Sequence, residues 1–312
     1  MKNLMCLFLS LLVSSQCVAA KVLIITHSYN RPDFIEMQSK MFKHFMLDEY
    51  EFVVFSDAKD EVMNEAIIDA CKKSDVRCIR MPQELHKEPY LPRQPGDPLD
   101  RPNIRHANVV QYSMDILGFD HQGPVVVLDS DMFLVRPLSV VQELESENWD
   151  MISFLKGTDP DITHLCPAFM IFSMDKLPNK RTMNFNCGTV KGASVDSGGH
   201  TYYYLQSNPT LKIKGLHEIY SYRLFGTDRF VPAHFIDKTT PVNEQIIILK
   251  ELGFNEKEIA FLQKKPDSIS FLSNHYFLHY RAGSNYDNQS KLYDQKKMAL
   301  INEFFDDILT LP

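Results

Sequence analysis

Gly123-Pro-Val-Val-Val-Leu-Asp-Ser-Asp-Met-Phe-Leu-Val-Arg-Pro-Leu138 is the stretch from which the rest of the chain can be read. Val125, Val126, Val127 and Leu128 form an apolar, β-branched run without helical period, which predicts a buried strand. Asp129 and Asp131 stand at its C-terminal end. Open α/β sheets bind their ligands beyond the carboxyl ends of the strands. A side-chain period of two puts both aspartates on one face. Two carboxylates aimed into one cleft repel each other unless a cation lies between them. A hard divalent ion, Mn2+ or Mg2+, holding a diphosphate answers that chemistry. The alternative is a polar strand end whose aspartates cap a turn.

Outward from this strand, the α/β rhythm repeats. Val22 to Thr26 reads as a first strand, closed by the loop His27-Ser-Tyr-Asn-Arg-Pro32. An amphipathic helix follows from Phe34 to Phe45, then a strand from Phe52 to Phe55, a helix from Glu61 to Lys73 and a strand from Val76 to Ile79. This alternation predicts an α/β fold with a mostly parallel central sheet flanked by helices. Pro82, Pro89, Pro92, Pro95, Pro98 and Pro102 interrupt it and predict a long loop over a substrate cleft. Asn103 to Leu117 resumes as a helix feeding the aspartate-bearing strand. Further on, Met151 to Phe154, Ala168 to Phe172 and Ser270 to Tyr280 read as strands. Gly198 to Gln206, Asn243 to Leu252 and Lys291 to Leu309 read as helices, the last packing across the sheet. There is no internal repeat.

The 312 residues carry a net charge of -7 without any Lys/Arg block, which argues against nucleic acid as a partner. Residues 1–20 are a separate segment. Lys2 is a short positive region, Met5 to Val13 an apolar core, and Val18-Ala19-Ala20 a small-residue cleavage site. This reads as a cleaved secretory signal, leaving 21–312 as a single domain. The apolar run is short for a membrane span, so membrane association is expected only through this segment, as a retained signal anchor. Cys71, Cys78, Cys166 and Cys187 remain after cleavage, enough for two local disulfides or four buried thiols. The sequon Asn288-Gln-Ser290 is compatible with a secretory lumen.

Ser270-Phe-Leu-Ser-Asn-His-Tyr-Phe-Leu-His-Tyr-Arg-Ala-Gly283 carries a second signal. Strand alternation puts His275, Phe277, His279 and Arg281 on one face. His279, at the strand end, can complete an Asp129/Asp131/His279 metal site, and Arg281 can meet a phosphate oxygen. Taken in order, Ile24-Ile-Thr-His-Ser-Tyr-Asn-Arg-Pro32, Leu128-Asp-Ser-Asp-Met-Phe-Leu-Val-Arg-Pro-Leu138 and His279-Tyr-Arg-Ala-Gly283 resemble the nucleotide loop, the Asp-x-Asp motif and the late metal-binding His of GT-A nucleotide-sugar glycosyltransferases. The nearest likeness is to the glycogenin-like and lipopolysaccharide-galactosyltransferase-like branch. That branch's late motif is His-x-x-Gly-x-x-Lys. Here Gly283 stands one residue further on and no lysine follows in register, which leaves retention or inversion open.

The resemblance implies a GT-A fold and a hexosyltransferase that moves a sugar from a nucleotide-diphosphate donor to a glycan, lipid or protein acceptor. It implies that Asp129, Asp131 and His279 hold Mn2+ or Mg2+ on the donor diphosphate. Thr26, Asn30 and Asp57 would line the base and ribose pocket; otherwise they are ordinary loop residues. Arg105, with His106 and Asn108, would face the donor from the helix before the aspartate strand, or stand on a solvated helix start. Asp196, in Ser194-Val-Asp-Ser-Gly-Gly-His-Thr201, precedes two glycines that allow close backbone approach. It is the candidate for binding sugar hydroxyls or acting as base; Ser197 or Asp196 could instead cap the following helix. Glu244-Gln245 resembles the Asp-Gln pair of some retaining enzymes, or is an exposed helix start. Tyr202, Tyr203 and Tyr204 either stack an acceptor sugar or pack into the core.

Two other classes compete. A haloacid-dehalogenase-type phosphatase also carries Asp-x-Asp after an apolar strand. That motif normally lies on the first strand and continues with Thr or Val, whereas three predicted strands precede Asp129 and Met132-Phe133 follow Asp131. A catalytically weak carbohydrate-binding protein on the same fold is the second. Export poses a supply condition, because nucleotide sugars are made in the cytosol. A secretory lumen or delivery into a host would meet it.

Overall fold

The computed structural model describes residues 21–87, 90, 102–157, 161–220, 240–264, 269–281 and 291–310. Residues 1–20, read above as an expected signal, most of the proline-rich loop, residues 282–285 after Arg281 and the sequon at 288–290 lie outside them. In chain order the elements are β1 (Val22–Ser28), α1 (Pro32–Phe45), β2 (Tyr50–Ser56), α2 (Glu61–Ser74), β3 (Arg77–Arg80), α3 (Glu84–Lys87) and α4 (Pro102–Ser113), which runs into a π-turn at Met114–Gly118. There follow β4 (Pro124–Asp129), β5 (Met132–Leu134), α5 (Val140–Glu145), β6 (Met151–Lys156), β7 (His164–Ser173), β8 (Gly188–Val190), β9 (Ala193–Val195) and α6 (Thr201–Ser207). The chain ends with β10 (Ile213–Leu216), β11 (Glu218–Tyr220), α7 (Val242–Glu251), α8 (Glu256–Gln263), β12 (Ser270–Leu272), β13 (Phe277–His279) and α9 (Lys291–Leu309).

Among the described residues the central sheet has seven strands, in the order β10-β6-β7-β4-β1-β2-β3. All run parallel except β7, which is antiparallel to both β4 and β6. The expected mostly parallel sheet flanked by helices is therefore present. Its strands divide their side chains between two cores, as a period of two requires. Val22, Ile24, Val126 and Leu128 face one core, shared with α1, α2 and α9. Leu23, Ile25, Val125 and Val127 face the other, shared with α4. On the first face α1 buries Phe34, Ile35, Met41, Phe42 and Phe45, each contributing roughly 1.5–3 kcal/mol by leaving water. Pro32 starts α1, where its missing N–H costs nothing, and Lys43 and His44 complement the dipole at its end.

A second, antiparallel sheet, β11-β12-β13-β5, flanks the end of β4. It corrects the single strand expected over Ser270–Tyr280. The chain turns at Ser273–Tyr276, with His275 at φ 65°. Alternation is lost across that turn, so His275 leaves the face of His279 and packs edge-on against Phe254. The helix expected from Gly198 begins only at Thr201, because Gly198 has φ +83°. Its N-cap residue is His200, which makes no side-chain cap, so Asp196 and Ser197 do not serve as one. Tyr202 and Tyr204 are buried and Tyr203 is exposed. The four described cysteines are free thiols; those of Cys71 and Cys78 hydrogen-bond to each other.

Candidate active site

The chain runs outward from β1 to β2 and β3, then returns to the other side of β1 with β4. This reversal opens a crevice at the carboxyl ends of the strands, the general ligand position of such sheets. A cavity of about 470 Å³ lies there. β1 contributes His27 and the following Tyr29, β2 the following Asp57, β4 Asp129, and β6 Phe154 and Lys156. Because β7 runs the opposite way, its first half, with Cys166 and Ala168, meets the same edge.

Asp129, Asp131 and His279 offer ligand atoms that all lie within 4.8 Å of one another. The aspartates reach this position differently from the simple alternation expected. Asp129 ends β4, whereas Asp131 lies in the turn that passes the chain to β5. The register of β13 on β5 then sets His279 opposite Met132, and the Tyr280 amide donates to the Asp131 carbonyl at 2.8 Å. His279 Nε2 stands 3.3 Å from Asp131 Oδ1, and its Nδ1 stands 2.7 Å from Glu218 Oε1. Burial opposes charge on this imidazole, but Asp131 and Glu218 outweigh it and raise its pKa to about 10. Two carboxylates and an imidazole nitrogen converging at a cavity mouth fit Mn2+ or Mg2+, with the nitrogen favouring the softer Mn2+.

Around this set the polar side chains form two groups. On one side Asp57, 4% exposed, accepts from Arg105 Nη2 at 2.9 Å and lies 2.6 Å from His86 Nε2. Arg105 also sits over the Tyr29 ring. On the other side Asp196 accepts from Lys156 Nζ at 3.3 Å and from the Ser197 amide at 2.9 Å. Burial pulls the Asp196 pKa up, yet Lys156, the Ser197 amide and His106 together hold it below the usual value. Lys156 stays protonated beside Cys166 and Asp196 despite its burial. His106 joins this second group to the metal set: Nε2 is 2.9 Å from Asp129 Oδ1 and Nδ1 is 3.1 Å from Ser197 Oγ. Burial works against its charge, and Asp129 outweighs that to raise its pKa.

Asp57, Arg105, His106, Asp129, Asp131, Asp196, His279 and Arg281, all singled out in the sequence, therefore meet in one cavity. Thr26, Asn30, Asn108, Glu244 and Gln245 do not line it. Thr26 is fully buried in β1, where its Oγ1 donates to the Leu128 carbonyl at 3.0 Å and ties β1 to β4. Asn30 is buried beside the start of α1. Glu244 is exposed on α7. Gln245 is buried there, donating to the Thr240 carbonyl at 2.6 Å. Asn108 is likewise structural, its amide donating to the Leu85 carbonyl.

The residues sequence reasoning missed are His27, Lys156 and Glu218. Lys156 had a usable signal, since it ends a strand in the parallel set. Glu218 had none, because its stretch shows no clear period. Ser113 Oγ donates to the Val110 carbonyl at 2.8 Å, so it must accept from His27 Nε2 at 2.9 Å. His27 therefore carries a proton on Nε2. Burial, with His106 nearby, lowers its pKa to about 3, and burial with Lys156 nearby lowers that of His164 to about 4. Neither nitrogen of His164 has a hydrogen-bond partner among the described residues.

These two histidines set an acid limit. Their folded pKa values lie below the ordinary 6.5, so the unfolded chain binds more protons in acid. Stability from this source is complete above pH 6.5 and is lost as the pH falls toward about 4 for His164 and about 3 for His27. The thermal midpoint is expected to drop between pH 7 and pH 4.5, and His164→Leu to make that drop shallower. An unchanged slope in the variant would contradict the assignment.

No family model and no curated protein sequence matches the chain. Among solved structures, the mannosyltransferase PcManGT from Pyrobaculum calidifontis, in complex with GDP-Man and Mn2+, aligns with TM-score 0.40 and 13% identity over 64% of this chain. The chain spans only 55% of that protein. Glucosyl-3-phosphoglycerate synthase from Mycobacterium tuberculosis, in complex with UDP, aligns with TM-score 0.38 and 14% identity over 76% of this chain and 82% of its own. The mannosyltransferase Ktr4p from S. cerevisiae aligns with TM-score 0.37 and 11% identity over 55% and 61%. At such scores the likeness is partial.

Proposed function

We propose that the protein is a metal-dependent glycosyltransferase of GT-A type, moving a hexose from a nucleoside-diphosphate donor to a carbohydrate, lipid or protein acceptor. The observation that carries this is the Asp129/Asp131/His279 set, with ligand atoms within 4.8 Å of one another at the crevice where the sheet reverses. When bound there, Mn2+ or Mg2+ supplies a Lewis acid that neutralises charge on the departing diphosphate. Asp129, Asp131 and His279 would hold it, through carboxylate oxygens and an imidazole nitrogen. Arg281 lines the same mouth and would meet a phosphate oxygen of the donor. Asp57, Arg105 and Tyr29 offer a carboxylate, a guanidinium and a ring to the nucleoside. The opposite wall takes the sugar and the acceptor.

On that wall Asp196 is ionised and paired with Lys156. A carboxylate held below its usual pKa is a weak base, so Asp196 is better suited to accepting hydrogen bonds from sugar hydroxyls than to taking a proton. A phosphatase of the haloacid-dehalogenase type is disfavoured because β1, β2 and β3 precede the strand that carries Asp129.

The test is thermal stability against a panel of nucleotide sugars with and without Mn2+. A ligand that binds only the native state raises the midpoint. A rise requiring both metal and one class of nucleotide is expected, accompanied by slow donor hydrolysis. No rise with any donor in folded protein would overturn the proposal in favour of a carbohydrate-binding protein.

A further inference from the structure

Glu218 is a carboxylate with 2% of its side chain exposed, set behind His279 rather than in the ligand set. It comes from β11, the strand furthest from β5 in the antiparallel sheet, with β12 and β13 between them. Ser270 on β12 pairs directly with His279 on β13, and its Oγ donates to Glu218 Oε1 at 2.8 Å. The same oxygen receives His279 Nδ1 at 2.7 Å, and Arg281 Nε lies 3.8 Å away. An ionised carboxylate can only accept, so Nδ1 keeps its proton and Nε2 is the nitrogen turned to Asp131. Burying a carboxylate is strongly unfavourable unless it is paired and hydrogen-bonded. Here the neighbouring strands supply those partners, and the pair fixes the imidazole plane at the cavity mouth.

We infer that Glu218 is the positioning residue of the metal centre: it holds His279 by Nδ1 so that Nε2 is presented to a divalent cation, and makes that nitrogen a stronger donor. This rests on the metal-dependent reading of the site. Carboxylates behind metal-bound imidazoles fix tautomer and orientation and raise ligand basicity; their removal typically costs 10–100-fold in metal affinity. Glu218→Gln keeps an acceptor for Nδ1–H and removes the charge. Glu218→Ala removes both.

The experiment is an Mn2+ titration of the nucleotide-free protein, followed by electron paramagnetic resonance, on wild type, Glu218→Gln, Glu218→Ala and Asp131→Asn. Circular dichroism and metal-free melting are measured alongside. The expected order of affinity is wild type, then Glu218→Gln weakened about tenfold, then Glu218→Ala weakened up to about 100-fold, with Asp131→Asn weakest. Should Glu218→Ala fail to fold, the Gln variant alone carries the test. Wild-type affinity in folded Glu218→Gln and Glu218→Ala would overturn the inference and leave the metal centre standing. No Mn2+ binding by the wild type would overturn both.

Discussion

Asp131→Asn is expected to remove Mn2+-dependent donor binding and to lower turnover by roughly a thousandfold or more. A bound cation stabilises transition-state charge by several kcal/mol, and each 1.36 kcal/mol is a factor of ten in rate. Asp131 is 6% exposed, and its carboxylate faces the Nε2 of His279 at 3.3 Å. Asn preserves the shape and removes the charge. The sheet behind it is untouched, because the backbone bond from Tyr280 to the Asp131 carbonyl needs no side chain. The metal-free melting transition should therefore stay cooperative, with its midpoint lowered by loss of the Asp131–His279 pair. Donor hydrolysis and Mn2+ titration of both proteins check this. Full metal-dependent turnover by the Asn variant would show that the cation, if one acts, sits elsewhere.

Gly198→Ala should damage the opposite wall and spare the metal set. At φ +83°, a Cβ on residue 198 would lie 2.2 Å from the Leu165 carbonyl oxygen and 2.6 Å from the Pro167 ring. Backbone cannot yield as a side-chain tip can. Residue 198 is also tied on both sides: its amide donates to the Phe185 carbonyl at 2.7 Å, and its carbonyl accepts from Thr201 Oγ1 at 2.6 Å. That hydroxyl in turn accepts from the Leu165 amide. Alanine at an unfavourable positive φ costs more than about 1 kcal/mol, and overpacking a tight contact adds roughly 1–3 kcal/mol. Relief of the clash displaces Asp196 and Ser197. Turnover should fall at least tenfold while Mn2+ affinity stays near wild type, because Asp129, Asp131 and His279 come from other elements. Wild-type melting and turnover in the variant would mean that the loop has room the geometry denies it.

How much of this was legible in the sequence differs between elements. β1 and β4 were plain, because residues buried on both faces are continuously apolar. α1 was plain because its buried face recurs with helical period. The hairpin of β12 and β13 was not. Its strands are three residues each, and the apolar residues continue across the turn, so only the backbone at His275 reveals the reversal. The paired aspartates pointed to the right place for a partly wrong reason: Asp131 shares the cavity with Asp129 through a turn between sheets, not through strand alternation. Thr26 lies within β1 and Asn30 in the loop after it, and the packing of β1 on β4 turns Thr26 inward.

The sequence by itself determined the kind of element at most positions, the α/β class, the strand that ends in Asp129, and the candidates Asp131, Asp196 and His279. The elements follow from local composition and periodicity, which the nearest few residues carry, and the candidates from the motifs at strand ends and the resemblance they build. Only the tertiary structure decided the strand order, the antiparallel insertion of β7, and the register that sets His279 beside Asp131. It alone brought Glu218 behind that histidine and Lys156 beside Asp196. Such contacts join residues far apart in the chain. Their geometry is set by how two sheets and their helices close over shared cores, which no local period encodes.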